Sequence, residues 1–103
     1  MNIGKYETLM AVVEYGSLTR AAQSLGCTQS AVSHSIESLE QELGFALLKR
    51  GRAGVRLTCE GERLIPAVRN LLNSAEQLAQ TAASIRGLES GTVRIGSFTS
   101  VAV

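Results

Sequence analysis

The sequence contains no aspartate and no tryptophan, and it has one histidine, one proline and two cysteines. Each scarcity removes a class of function. A Ser-His-Asp or Cys-His site needs a placed acid beside its histidine, and the single His34 falls on a helix face expected to be exposed. Cys27 and Cys59 form no C-x-x-C pair, and His34 lies seven positions after Cys27, which is not a metal-ligand spacing. Two thiols are too few for a disulfide framework and suit a reducing cytoplasm. Cys27 reads as a small core residue and Cys59 as incidental to a helix start. The nine glutamates scatter over expected solvent faces, so no carboxylate pair is set up for acid–base work. No Gly-rich phosphate loop follows a strand. The chain therefore reads as a non-enzyme with no catalytic residues, no metal site and no cofactor of its own.

Long apolar runs are missing too. No stretch approaches the roughly 20 apolar residues of a spanning helix, and the N-terminus has no signal-peptide pattern. No membrane partner is expected. Apolar residues still make up 45% of the 103, against 4% aromatic. A core of Leu, Val, Ile and Ala suits packed helices better than a sandwich. The net charge of +1 says little, but Lys49, Arg50, Arg52 and Arg56 lie close together with no acid among them. Such a run neutralises phosphates locally, or is simply a solvated basic loop.

From Ile3 to Tyr15, Tyr6, Leu9, Met10 and Val13 fall at helical spacing and predict a first helix that Gly16 ends. Ser17 offers an N-cap to a short second helix burying Leu18, Ala21, Ala22 and Leu25. Gly26 ends it. Thr28 caps a third helix over Gln29 to Leu43, with Val32, Ile36, Leu39 and Leu43 inward, Ala31 beside them, and Gly44 as its stop. Two helices joined by Gly26-Cys27-Thr28 are a helix-turn-helix. The small Ala22 lets them cross closely.

Phe45 to Arg50 and Val55 to Leu57 read as two strands around a four-residue loop, Gly51-Arg52-Ala53-Gly54. A basic hairpin after such a helix pair is a wing. Thr58 then caps a long helix from Cys59 to Leu88, with Glu60 and Glu62 at the positive end of its dipole. Leu64, Val68, Leu71, Ala75, Leu78, Ala82 and Ile85 alternate in steps of four and three, a heptad seam. A helix of this length spans about 45 Å and cannot bury its stripe on a 58-residue domain. The seam predicts a partner helix from a second copy. Pro66 predicts a kink near Glu62 without a break.

The fold class is thus mainly α: a winged helix-turn-helix of three helices and a hairpin, then a coiled-coil linker helix. Residues 1–58 form the DNA-binding domain and 59–88 the dimerisation helix. Within 89–103, Thr92 to Gly96 alternates like a strand that opens a further domain.

The outward face of the third helix begins with Gln29, Ser30, Ser33 and His34, and Glu37 continues it. These hydrogen-bonding groups sit at the helix end that enters the major groove first. Gln pairs with the N6/N7 edge of adenine. An ordinary solvated face would look the same in isolation; the adjacent turn and wing favour base contact. Ser17, Arg20 and Thr28 stand near helix starts as candidate phosphate contacts. Arg50 and Arg52 reach the minor groove or its phosphates, while Arg56 supports the hairpin and Lys49 is a surface lysine.

Gly16-Ser17-Leu18-Thr19-Arg20-Ala21-Ala22-Gln23-Ser24-Leu25 resembles the second helix of LysR-type transcriptional regulators. So do Thr28-Gln29-Ser30-Ala31-Val32-Ser33-His34-Ser35-Ile36, Leu39-Glu40 and Glu42-Leu43-Gly44. Leu47-Leu48-Lys49-Arg50 and Val55-Arg56-Leu57-Thr58, with Gly61, are similar to the family's wing and linker start. The resemblance covers residues 1–96. It implies a bacterial, cytoplasmic regulator that binds double-stranded operator DNA as a homodimer. It further implies tetramers in the full-length protein, a C-terminal domain sensing a small-molecule effector, and RNA polymerase as a partner. By position, Gln29, Ser30, Ser33 and His34 match the family's base-reading residues and Arg50 its wing arginine. Two residues depart from the pattern. His34 stands where Arg is frequent, making that contact weaker, and Leu48 replaces a usual Phe, predicting a looser wing root.

Two alternatives remain. The same fold and seam would suit a module that docks a partner protein. A DNA-binding dimer lacking its effector domain would also lose the avidity of a tetramer.

Overall fold

A computed structural model describes residues 3–89. The chain runs α1 (Ile3–Tyr15), α2 (Leu18–Leu25), α3 (Gln29–Leu43), β1 (Leu48–Gly51), β2 (Gly54–Leu57) and α4 (Cys59–Glu89). The expected strand at Thr92–Gly96, and the 89–103 segment beyond Glu89, lie outside the described residues. Among the described residues, no helix is long and apolar enough to cross a membrane.

The helix starts follow from side-chain chemistry. Ser17 accepts a bond from the Arg20 N–H at 3.1 Å, and Thr28 accepts one from Ala31 at the same distance. Each supplies a partner for a backbone donor that the first helical turn leaves open. Gly26 closes α2 in the left-handed conformation, with the following Cys27 N–H donating to the Ala22 carbonyl at 3.0 Å. The Cys27 backbone makes the turn while its side chain is exposed, so the core role expected for it is wrong.

The core gathers Tyr6, Leu9 and Val12 from α1, Leu18, Ala21 and Ala22 from α2, and Val32, Ile36 and Leu39 from α3. Leu47, Ile65 and Val68 complete it. The stripe on α1 is Tyr6-Leu9-Val12, with Met10 and Val13 half-buried at its flank. Steps of three drift around a 3.6-residue helix, so this stripe winds slightly about α1. Leu25 is 41% exposed, not buried as expected. It ends a two-turn helix, beyond the contact filled by Leu18, Ala21 and Ala22. Ala31 is exposed as well.

Between α3 and the hairpin, Glu40 accepts the Leu47 N–H at 2.7 Å and the Leu48 N–H at 3.2 Å through one carboxylate oxygen. The Leu47 carbonyl accepts the Thr58 N–H at 2.9 Å. The Thr58 bond continues the hairpin register by one step, but the Leu47 N–H that would complete the pair is taken by Glu40, so β1 begins at Leu48 and not at Phe45. The strands pair Leu48↔Leu57, Lys49↔Arg56, Arg50↔Val55 and Gly51↔Gly54. Pairing of the two glycines shortens the expected four-residue loop to Arg52-Ala53. The half-buried Leu48 packs against the core.

The hairpin is held from its other side by the α1–α2 turn. Val55 donates its N–H to the Gly16 carbonyl at 3.3 Å. Gly54 has φ +118°, and a β-carbon there would stand 2.8 Å from the same carbonyl oxygen. Only glycine meets both demands.

Thr58 caps α4 by accepting the Gly61 N–H at 2.9 Å, while its hydroxyl donates to the Ala46 carbonyl at 2.7 Å. The helix continues unbroken through Pro66. The first compact unit extends through Leu72, past the expected boundary at 58, because Ile65 and Val68 fill its core. The seam therefore divides. Val68 is 2% exposed and committed to its own chain, and Leu64 and Leu71 pack against the same core. In the second unit, which begins at Asn73, Leu78 is 71% and Ile85 51% exposed.

Gly61 offers a test in which two effects oppose. Alanine is the better helix former by about 1 kcal/mol. A β-carbon at Gly61 would, however, lie 2.5 Å from the Leu47 carbonyl oxygen, which is backbone held at both ends. Sterics should win, and Gly61→Ala should destabilise the chain by about 1–3 kcal/mol. Urea unfolding measures this; a variant as stable as the parent or more so would contradict the packing.

Candidate nucleic-acid interface

Helix α3 presents two faces. Val32, Ile36 and Leu39 point into the core, and Gln29, Ser30, Ser33, His34 and Glu37 line one shallow concavity on the outside. Gln29, Ser30 and His34 are exposed and Ser33 is half-buried. The five side chains expected to continue one outward face therefore do share it. Their spacing follows from helix geometry: steps of three and four return to the same side. The groups offer amide, hydroxyl and imidazole donors and acceptors, plus one carboxylate acceptor.

The N-terminal end of α3 adds a positive pole. Thr28 uses a lone pair of its hydroxyl for the Ala31 N–H and keeps its own proton to donate. The same holds for Ser17 at the start of α2. A capping hydroxyl at a helix N-terminus is thus ready for a phosphate oxygen. Arg20, in the first turn of α2, is exposed.

The hairpin carries the cationic part. Arg50 and the tip residue Arg52 are exposed, as is Lys49. Lys49 and Arg56 are direct cross-strand partners. Like charges directly opposite destabilise a strand pair, and an external anion would relieve this one. Side chains alternate along a strand, so Lys49 and Arg56 share the face of the ribbon opposite Arg50, where Glu62 lines one concavity with both.

Two functional links could not be read along the chain. Thr19 on α2 donates its hydroxyl to the Gln29 Oε1 at 3.2 Å. Glu40 fixes the approach to the wing. Both depend on how non-adjacent segments cross. The sole hint for Glu40 was an acid one residue past the inward Leu39, hence beside the buried stripe.

Among the described residues, no group of three or more His, Cys or Glu side chains could hold a metal ion. Cys27 and Cys59 are both free and exposed.

Comparison with known proteins agrees with this geometry. Residues 3–62 match the family model for the bacterial regulatory helix-turn-helix protein, lysR family. The chain is 43% identical over 102 residues to a probable HTH-type transcriptional regulator, LrrA, of Synechococcus elongatus, covering 99% of this chain and 35% of that protein. It is 40% identical over 99 residues to the uncharacterized regulator YvbU of Bacillus subtilis, covering 95% of this chain and 34% of YvbU. The chain thus spans about a third of the length of these relatives. Among solved structures, the BenM DBD in complex with catB site 1 DNA superposes with a TM-score of 0.78 at 35% identity, covering 84% of this chain and 97% of that one. The CbnR DBD–DNA complex gives a TM-score of 0.76 at 27% identity, covering 84% and 99%. The winged helix-turn-helix fold is therefore shared with these domains, and the chain belongs to the lysR family of bacterial regulatory helix-turn-helix proteins.

Proposed function

We propose that this chain is the operator-reading part of a cytoplasmic transcriptional regulator and binds double-stranded DNA in a sequence-specific, non-enzymatic manner. The observation that carries the reading is the outward face of α3, where Gln29, Ser30, Ser33 and His34 come together on a helix whose other side is anchored in the core. Rigid placement matters, because base readout needs donors and acceptors held at fixed spacing. Resemblance to the DNA-bound BenM and CbnR domains supports the same assignment. In this reading α3 enters the major groove. Arg50 and Arg52 lie against the minor groove or its phosphates, and Ser17, Arg20 and Thr28 contact backbone phosphates.

The chain acts as a homodimer in this proposal. The later part of the seam, where Leu78 and Ile85 are exposed and Ala75 and Ala82 half-buried between them, is the part left for a second copy. Leu64, Val68 and Leu71, expected to share that role, serve the chain's own core first. A small-molecule effector, tetramer formation and contact with RNA polymerase would belong to the longer protein that the relatives' lengths suggest.

Two measurements test these assignments. Fluorescence anisotropy on a duplex selected from a randomised pool should show Ser33→Ala and Arg50→Ala each weakening binding about 5- to 100-fold, with thermal unfolding little changed. Unaltered affinity in both variants would refute the interface. Sedimentation should show the parent as a dimer and Leu78→Glu as a monomer, since a charge would replace an apolar contact worth about 1.5–3 kcal/mol per chain. A parent that stays monomeric at tens of micromolar would remove the seam from the account.

A further inference from the structure

We propose that Thr19 is a positioning residue that sets the base preference of Gln29, an inference that rests on the DNA-binding reading above. Thr19 is the second residue of α2 and Gln29 the first residue of α3, so their bond spans the helix-turn-helix. The Thr19 hydroxyl donates to the Gln29 Oε1 at 3.2 Å, and both residues are exposed on the same side of the turn.

The two side chains differ in stiffness. Threonine is β-branched, with few χ1 choices on a helix. Its backbone is pinned by the Ser17 cap on one side and by Leu18 and Ala21, 6% and 0% exposed, around it. Glutamine has three rotatable bonds and loses about 1.5–2 kcal/mol of rotamer freedom when held. The rigid partner therefore places the flexible one.

The direction of the bond matters more than its strength. With Oε1 turned towards Thr19, the Gln29 amide presents both N–H bonds outward and keeps one lone pair on Oε1. That arrangement offers a donor to a purine N7 and an acceptor to the adjacent adenine amino group. That donor–acceptor pair matches the edge of adenine. Without the hydroxyl, the amide loses that anchor and samples its other rotamers, and discrimination at that base pair falls. Thr19 acts through Gln29 and need not touch DNA itself.

The test uses the whole chain and a duplex selected by it from a randomised pool. Affinities are measured for the parent, Thr19→Val, Thr19→Ser, Gln29→Ala and the double variant Thr19→Val/Gln29→Ala. The probes are the selected duplex, the same duplex with each base pair changed in turn, and an unrelated duplex. Thr19→Val should bind the selected duplex about fivefold more weakly and the unrelated duplex as the parent does. Its loss of discrimination should fall at the base pair where Gln29→Ala loses its own, and that pair should carry adenine. Thr19→Ser, which keeps the hydroxyl and loses the β-branch, should recover most of the parent's discrimination, and the double variant should be no weaker than Gln29→Ala alone. Equal weakening on both duplexes with a shallower salt dependence would make Thr19 a phosphate contact and overturn the proposal. So would additive losses in the double variant. A parent that selects no duplex would instead overturn the DNA-binding reading beneath it.

Discussion

Leu47 is the residue on which the arrangement of reading helix, wing and linker helix depends. Its side chain is fully buried, its N–H is bound to the carboxylate of Glu40 on α3, and its carbonyl accepts from Thr58 at the start of α4. Three elements thus meet at one residue. The bond to Glu40 is charge-assisted and short, hence stronger than a bond between neutral groups. Gly61 lets α4 come close enough to complete the knot. Tilting the wing relative to α3 would break these contacts together, so the basic hairpin and the polar helix face form one rigid unit.

A second attachment limits the wing further. Its strand β2 is bound through Val55 to the carbonyl of Gly16, immediately before the capping Ser17. The candidate phosphate contacts at the α2 N-terminus and in the hairpin are therefore fixed to each other through two glycines. Such placement suits recognition of a duplex, in which phosphates stand at regular intervals and poorly aligned charges lose much of their contact.

Much of this was legible along the chain, because the signals are local. Ser17, Thr28 and Thr58 cap the helices they precede, and Gly26 and Gly44 end the helices they follow. The outward set on α3 needed only a helical period and the inward set beside it. What escaped depends on three-dimensional crossings. Periodicity alone could not choose Val12 over Val13 on an apolar helix, nor leave Leu25 in solvent at the end of α2. Cys27 looked apolar by type, yet it sits in a turn where the backbone makes the contact. The heptad spacing is present as a pattern, but Val68 belongs to the domain's own core, and Leu78 and Ile85 are the seam positions left exposed. Glu40 and Thr19 bond across 7 and 10 residues of chain, respectively, and nothing in their immediate neighbours announces it.

The central claim is that α3 reads bases while the surrounding cations hold the phosphate backbone. It is tested most directly by titrating the chain onto a selected and an unrelated duplex over a series of salt concentrations. The account predicts a linear fall of log affinity with log salt on both, since phosphate contacts release counterions. It also predicts that the selected duplex binds at least about 10³-fold more tightly at physiological salt. Binding that is insensitive to salt, or equally strong on both duplexes throughout, would contradict it.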